Sequence, residues 1–120
     1  MIRRGEIYWV EFEPVKGSEQ GGLRPALVIQ HDTGNRYSPT TVVAAITRTV
    51  PPKPYPFTVV IEPHESGLRA TSAVNCSQVA TIQQSRLRAV PGEDGIRSIG
   101  RLSDAKMKEV SEALRFNFGL

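Results

Sequence analysis

One cysteine, two histidines and few aromatic residues leave this 120-residue chain little of the usual chemical repertoire. The lone thiol, Cys76, cannot close an internal disulfide, which fits a reducing compartment. It sits in an alternating apolar run and reads as a buried structural thiol rather than a nucleophile. His31 and His64 are far apart in sequence and have no cysteine or carboxylate at ligand spacing. No HExxH or paired-carboxylate motif is present, so no metal and no other cofactor is expected. An acid–base histidine pair is poorly supported too, because both residues fall in turn-like stretches and read as solvated loop histidines. The scarcity of aromatics speaks against an extended base-stacking platform. No apolar run approaches the ~20 residues of a membrane span. Met1-Ile2-Arg3-Arg4 leads into a charged strand rather than a signal-peptide core, so a cytoplasmic chain with no membrane partner is expected. Residues 17–24 faintly echo a phosphate-binding P-loop, but Leu23-Arg24 stands where Lys-Ser/Thr is required, which speaks against nucleotide hydrolysis.

What is present is a mild positive balance. Lys and Arg number 15 against 12 Asp and Glu, a net charge of +3. That permits a short nucleic-acid site without demanding one. The length suits one domain, residues 1–120, with a single core.

Most of the chain alternates strand-like and turn-like pieces. Residues 7–12 are rich in aromatic and β-branched side chains and predict a strand. Residues 24–30 and 42–47 are continuous apolar runs, the pattern of central strands covered on both faces. Residues 13–22 predict a long polar loop, and 32–35 a turn. Pro51-Pro52-Lys53-Pro54-Tyr55-Pro56 cannot supply ladder hydrogen bonds and predicts an exposed, semi-rigid loop. Strands are expected again at 57–61 and 73–79, separated by a turn at 63–69, and residues 91–95 read as a loop. The period then changes. Ser103 is a candidate N-cap, Leu102 and Met107 stand at staple spacing, Met107, Val110 and Leu114 line one helical face, and Gly119 is the stop. Short strands, proline-rich turns and one terminal helix point to a mainly β fold, a small barrel with a C-terminal α-helix.

The most informative stretch is Gly17-Ser18-Glu19-Gln20-Gly21-Gly22-Leu23-Arg24-Pro25, running into Ala26-Leu27-Val28-Ile29-Gln30. A small polar, glycine-rich loop meets an apolar strand, with one cation at the junction. Pro25 pushes Arg24 toward an extended backbone, so its guanidinium leaves the strand start in a restricted direction. That arrangement suits a fixed cation beneath a flexible flap, positioned for a phosphate. A surface arginine at the mouth of an ordinary hairpin fits the same spacing. Thr47 ends the second apolar run. If the two runs pair antiparallel, Arg24 and Thr47 reach the same end of the sheet.

Arg3-Arg4-Gly5-Glu6-Ile7-Tyr8-Trp9-Val10, then 17–30, then Asp32-Thr33-Gly34-Asn35-Arg36-Tyr37-Ser38-Pro39-Thr40 and Val42-Val43-Ala44-Ala45-Ile46-Thr47 occur in that order. Together they resemble the MazF/PemK family of toxin endoribonucleases, closely over about the first fifty residues and more loosely to the end. Four linked motifs in one order are far more specific than any single glycine-rich loop.

The resemblance implies an SH3-like barrel of the MazF/CcdB type. It further implies a homodimer and sequence-specific, metal-independent cleavage of single-stranded RNA to 2′,3′-cyclic phosphate and 5′-OH ends. It places the family's catalytic Arg and Thr at Arg24 and Thr47. Silencing by a cognate, MazE-like antitoxin with a disordered inhibitory segment is part of the same expectation. RNA contacts are implied for Ser18, Glu19 and Gln20 on the flap and for Gln78 and Thr81. Glu19 reads equally as a solvated carboxylate, and Gln78 either as a reader of a base edge or as a structural amide. Arg86 and Arg88 read as surface charge within reach of phosphates. The family commonly has Asn at the position of His31, against an acid–base role there. Two other readings share the barrel: a CcdB-like toxin that binds DNA gyrase without cutting RNA, and a non-catalytic RNA-binding barrel.

Overall fold

Residues 1–12, 22–88 and 97–120 are described by the structure, a computed structural model. Seven antiparallel strands run through them. These are β1 (Glu6–Phe12), β2 (Gly22–Val28), β3 (Thr40–Thr47), β4 (Thr58–Ile61), β5 (Ser72–Gln83), β6 (Leu87–Arg88) and β7 (Gly100–Arg101). Helices α1 (Asp32–Tyr37), α2 (Pro63–Ser66) and α3 (Asp104–Phe118) complete the chain, with one 3₁₀ turn at Gln84–Arg86. Strand order is β4-β5-β3-β2-β1-β6, with β7 also on β1. Among the described residues the end strands β4 and β6 do not pair, so the fold is barrel-like without being closed.

The two apolar runs do what their composition demands. Leu27, Ala44 and Ile46 enter a cluster with Ile7, Ile61, Val74 and the α3 residues Met107, Val110 and Ala113. Their strand neighbours Ala26, Val28 and Val43 enter a second cluster with Ile2, Tyr8, Val10, Ile82 and Leu87. Successive side chains point to opposite faces, so each run feeds two cores.

Helix α3 begins and ends where its sequence says. Ser103 Oγ accepts from the Lys106 N–H at 3.1 Å, and Gly119 closes the helix in the left-handed region at φ 70°. Leu102 and Met107 are buried together in the first cluster. Lys106 Nζ lies 3.3 Å from Glu65 Oε1 and donates to the Val60 carbonyl at 3.4 Å. It thereby ties α3 to α2 and occupies part of the β4 edge, a common way to blunt an exposed strand.

Three local expectations need correction. Residues 32–35 are not a turn but the start of α1, and His31, exposed to solvent as expected, is its N-cap: the Thr33 N–H donates to His31 Nδ1 at 3.0 Å. Tertiary contacts hold this poor helix former. Asn35, only 2% exposed, accepts from Thr41 Oγ1 (2.6 Å) and Gln30 Nε2 (3.0 Å) and donates to the Gln30 carbonyl (3.0 Å). The turn at 63–69 contains α2, with Pro63 at its first position and a capping box between Glu62 and Glu65. Strand β5 runs on to Gln83 rather than ending at Val79.

Gly67 ends α2 at φ 78° and packs on β7. A Cβ there would run into the Ile99 carbonyl oxygen, and one on Gly100 into that of Ser66. Gly67→Ala combines a left-handed non-glycine residue with backbone overlap, and is expected to cost about 2–3 kcal/mol. A urea-unfolding midpoint unchanged from the wild type would contradict this packing.

Candidate active site

The β2–β3 ladder pairs Ala26 with Ala45, Leu27 with Ala44 and Val28 with Val43. Pro25, which has no N–H to donate, stands one residue before the ladder begins. Beyond that point β2 remains on β1, with Arg24 opposite Val10 and Pro25 opposite Trp9, while no pairing joins it to β3. The gap so formed is one wall of a cavity of about 700 Å³. Extending the register two residues past Ala26↔Ala45 (24 + 47 = 26 + 45) sets Arg24 across from Thr47, and both line the cavity. The antiparallel condition for bringing the pair together is therefore met.

Thr47 is half-buried, and its Oγ1 accepts from the Thr49 N–H at 3.1 Å. With a lone pair engaged by the backbone, the hydroxyl hydrogen is oriented to donate elsewhere. Arg24 is exposed and has no hydrogen bond or ion pair among the described residues. Three further arginines line the same space, Arg48, Arg69 and Arg88. Of these Arg88 is shared, its Nη2 lying 3.3 Å from Glu11 Oε2 on the exposed rim. No carboxylate, imidazole or thiol is among the described lining residues. Four arginines lining one cavity, three of them without a carboxylate partner among the described residues, suit a polyanion.

The other wall comes from the segment after α2. The Leu68 N–H donates to Ser66 Oγ at 3.0 Å, and Ser72 Oγ donates to the Ala70 carbonyl at 2.9 Å. These bonds and the Gly67–Ile99 contact fix the backbone on either side of Arg69. Arg48 and Arg69 were not singled out by sequence reasoning. Arg48 follows Thr47 directly, a signal that was available, whereas Arg69 reaches the cavity only through the α2–β7 packing.

The remaining site residues fall elsewhere. Ser18, Glu19 and Gln20, together with the loop at 91–95, lie outside the described residues. Gln78 is exposed in a β5 irregularity. The partner of Ala44 is Val79 but that of Ala45 is Asn75, so residues 76–78 bulge out of the ladder. Thr81, exposed and opposite Val42, lies up the strand from Ala73, the partner of Thr47. The structure does not bring Gln78 or Thr81 into the cavity with Arg24 and Thr47. His31 and His64 do not line it either. Cys76 is buried in the first core cluster, and burial pushes its thiol up to about 11, in keeping with a structural role.

Among the described residues no group of three or more His, Cys, Asp or Glu is placed to hold a metal ion. No helix among them is long and apolar enough to cross a membrane.

The sequence model of PemK-like, MazF-like toxins of type II toxin–antitoxin systems matches residues 3–118. An Endoribonuclease MazF from Staphylococcus saprophyticus is 42% identical over 120 residues, covering 100% of this chain and 93% of that protein. A structure of MazE–MazF from Deinococcus radiodurans superposes with a TM-score of 0.73 at 25% identity, covering 99% of this chain and 96% of that one. A mycobacterial endoribonuclease in complex with its cognate antitoxin shares the fold at a TM-score of 0.75 and 22% identity, covering 100% of this chain and 97% of that one.

Proposed function

Because the chain belongs to the PemK-like, MazF-like toxin family of type II toxin–antitoxin systems, we infer that it is an endoribonuclease that cuts single-stranded RNA at short sequences and is silenced by an antitoxin. The observation that carries the reading is the juxtaposition of Arg24 and Thr47 in a cavity lined by four arginines. RNA brings its own nucleophile. The 2′-oxygen of one nucleotide attacks the adjoining phosphorus and loses its proton. The P–O5′ bond then breaks and the departing oxygen takes up a proton, leaving a 2′,3′-cyclic phosphate and a 5′-OH. The protein has to align 2′-O, P and 5′-O and stabilise charge on the phosphorane.

Arg24 suits the second task, since its guanidinium offers paired N–H donors to the non-bridging oxygens and no ion pair among the described residues competes for them. It remains protonated at any physiological pH and acts by charge rather than as a proton donor. The Thr47 hydroxyl, its oxygen held by the Thr49 N–H, donates to the phosphate and fixes its orientation. Arg48, Arg69 and Arg88 contribute attraction for the flanking backbone, which ought to weaken as salt is raised. Ser18, Glu19, Gln20, Gln78 and Thr81 remain candidates for base contacts, the first three from the stretch of sequence that precedes Arg24.

The reading takes residues 1–120 as one toxin domain acting in the cytoplasm, supported by the family match over 3–118. The MazE–MazF relative supports an antitoxin partner. A carboxylate of the antitoxin's inhibitory segment would meet the same cation, Arg24, which has no ion pair among the described residues and is proposed to take a phosphate. A homodimer belongs to the same reading, with exposed Phe116, Phe118 and Leu120 at the end of α3 as apolar surface for pairing. A light-scattering mass of a single chain in a fully active sample would remove it.

Incubation of the purified protein with a long single-stranded RNA in excess EDTA tests the function. Discrete fragments ending in cyclic phosphate are expected. RNA that is bound but left whole would favour a non-catalytic RNA-binding barrel. RNA neither bound nor cut would favour a toxin acting on another target.

A further inference from the structure

Thr47 lines a second cavity of about 350 Å³. Its other walls include Pro51 and Tyr55 from the proline-rich loop, Phe57 just before β4, and Asn75 and Ser77 at the β5 bulge. Whatever lies on one side of Thr47 in the first cavity has the second as its neighbour.

Tyr55 is built as a platform. Its ring stacks on that of Phe57, with centroids 5.1 Å apart and planes 7° from parallel. Phe57 is partly buried against the first core cluster, which anchors the stack from beneath. Tyr55 remains 58% exposed, leaving its ring open to a further planar group. Pro54 and Pro56 flank it and restrict the backbone, and the Thr58 N–H donates to the Tyr55 carbonyl at 2.8 Å. A ring held in advance loses little entropy when it is covered.

Asn75 supplies direction. Its Oδ1 accepts from the Ser77 N–H at 3.0 Å and from the Ser77 hydroxyl. That fixes which end of the amide is which, and leaves Nδ2 as a donor with no partner among the described residues. The three-residue bulge makes this possible by carrying Ser77 back toward Asn75 and into the same cavity wall.

We propose that this second cavity is a nucleobase subsite for an unpaired base next to the scissile phosphate, stacked on Tyr55 with its exocyclic carbonyl accepting from Asn75 Nδ2. Uracil, cytosine and guanine carry such a carbonyl; adenine does not. The proposal rests on the ribonuclease reading and adds a specificity determinant to it.

The test uses the full chain and an RNA that the wild type cuts, with abasic or adenine replacements at the two nucleotides flanking the cut. In the wild type, an abasic site at one of these two positions is expected to lower kcat/KM about 10- to 100-fold, the scale of one base–aromatic stack. Tyr55→Ala should lower cleavage of the intact RNA by a similar factor and make the abasic replacement nearly neutral. Tyr55→Phe should restore both the rate and the sensitivity, an outcome that a merely structural Tyr55 would not give. A wild-type rate for Tyr55→Ala, or abasic and Tyr55→Ala losses that simply multiply, would overturn the subsite. Adenine accepted as well as uracil there would overturn the Asn75 contact. RNA left uncut by the wild type would instead remove the ribonuclease reading, and the subsite with it.

Discussion

Arg24→Ala is expected to lower kcat at least ~100-fold, the scale for losing one donor to a developing oxyanion, ~2.7 kcal/mol or more in barrier. The reason is geometric. Arg24 is exposed at the open end of β2, outside both core clusters, and among the described residues it holds no structural partner. Its removal takes away charge stabilisation without leaving a cavity or an orphaned group, so the urea-unfolding midpoint should stay where it was. Thr47→Ala should lose activity on a similar scale at an equally small cost in stability, the Thr49 N–H being exposed enough to turn to water. Thr47→Ser, which keeps the hydroxyl, should recover most of the rate. Single-turnover cleavage assays beside urea titrations decide the matter. Near-wild-type turnover in Arg24→Ala would take it out of the reaction.

The second large effect belongs to the substrate. The described residues lining the cavity include no carboxylate, imidazole or thiol, in keeping with the proposal that the RNA supplies its own nucleophile. Replacing the ribose on the 5′ side of the cut by deoxyribose should abolish cleavage there, while a deoxyribose one nucleotide further away should change it little. The substituted strand should still bind, because in the proposed reaction Arg24, Arg48, Arg69 and Arg88, which line the cavity, act on phosphates rather than on the 2′-OH. Efficient cutting of the substituted strand would mean that water attacks instead, and the reaction would need a general base not found among these residues.

The placing of Arg24 and Thr47 at one end of the sheet was legible as a condition, because the two apolar runs and their polar ends are local facts; that the runs pair antiparallel is a tertiary one. The α3 boundaries were legible for the same reason, since Ser103 and Gly119 act within one turn of where they stand. What could not be read arises from contacts distant in sequence. Helix α1 exists despite Gly34 and Asn35 in part because Gln84 Nε2, from just beyond the far end of β5, donates to the Asn35 and Ser38 carbonyls at 2.8 Å each, beside the nearer bonds that Thr41 and Gln30 give the Asn35 amide. The bulge at 76–78 is fixed in part by the Cys76 N–H, which donates to the Phe57 carbonyl at 2.8 Å, nineteen positions away (76 − 57). Arg69 reaches the cavity through glycine contacts between α2 and β7 that no spacing rule announces. Tyr55 and Phe57 sit in and beside a proline-rich stretch that composition marks only as loop, and their stacking emerges from where β4 begins.

The alternation of β2 and β3 between two cores has a further consequence. A strand covered on one side can slide by one residue and be wrong on one face; here a slip would send Leu27 and Ala44 into the space shaped for Ala26, Val28 and Val43, and the reverse. No half-correct alignment is available to rest in. Since extending the same register sets Arg24 across from Thr47, their juxtaposition depends on an alignment that both cores enforce. Substitutions that loosen either core are therefore expected to cost activity as well as stability, even where they lie far from the cavity.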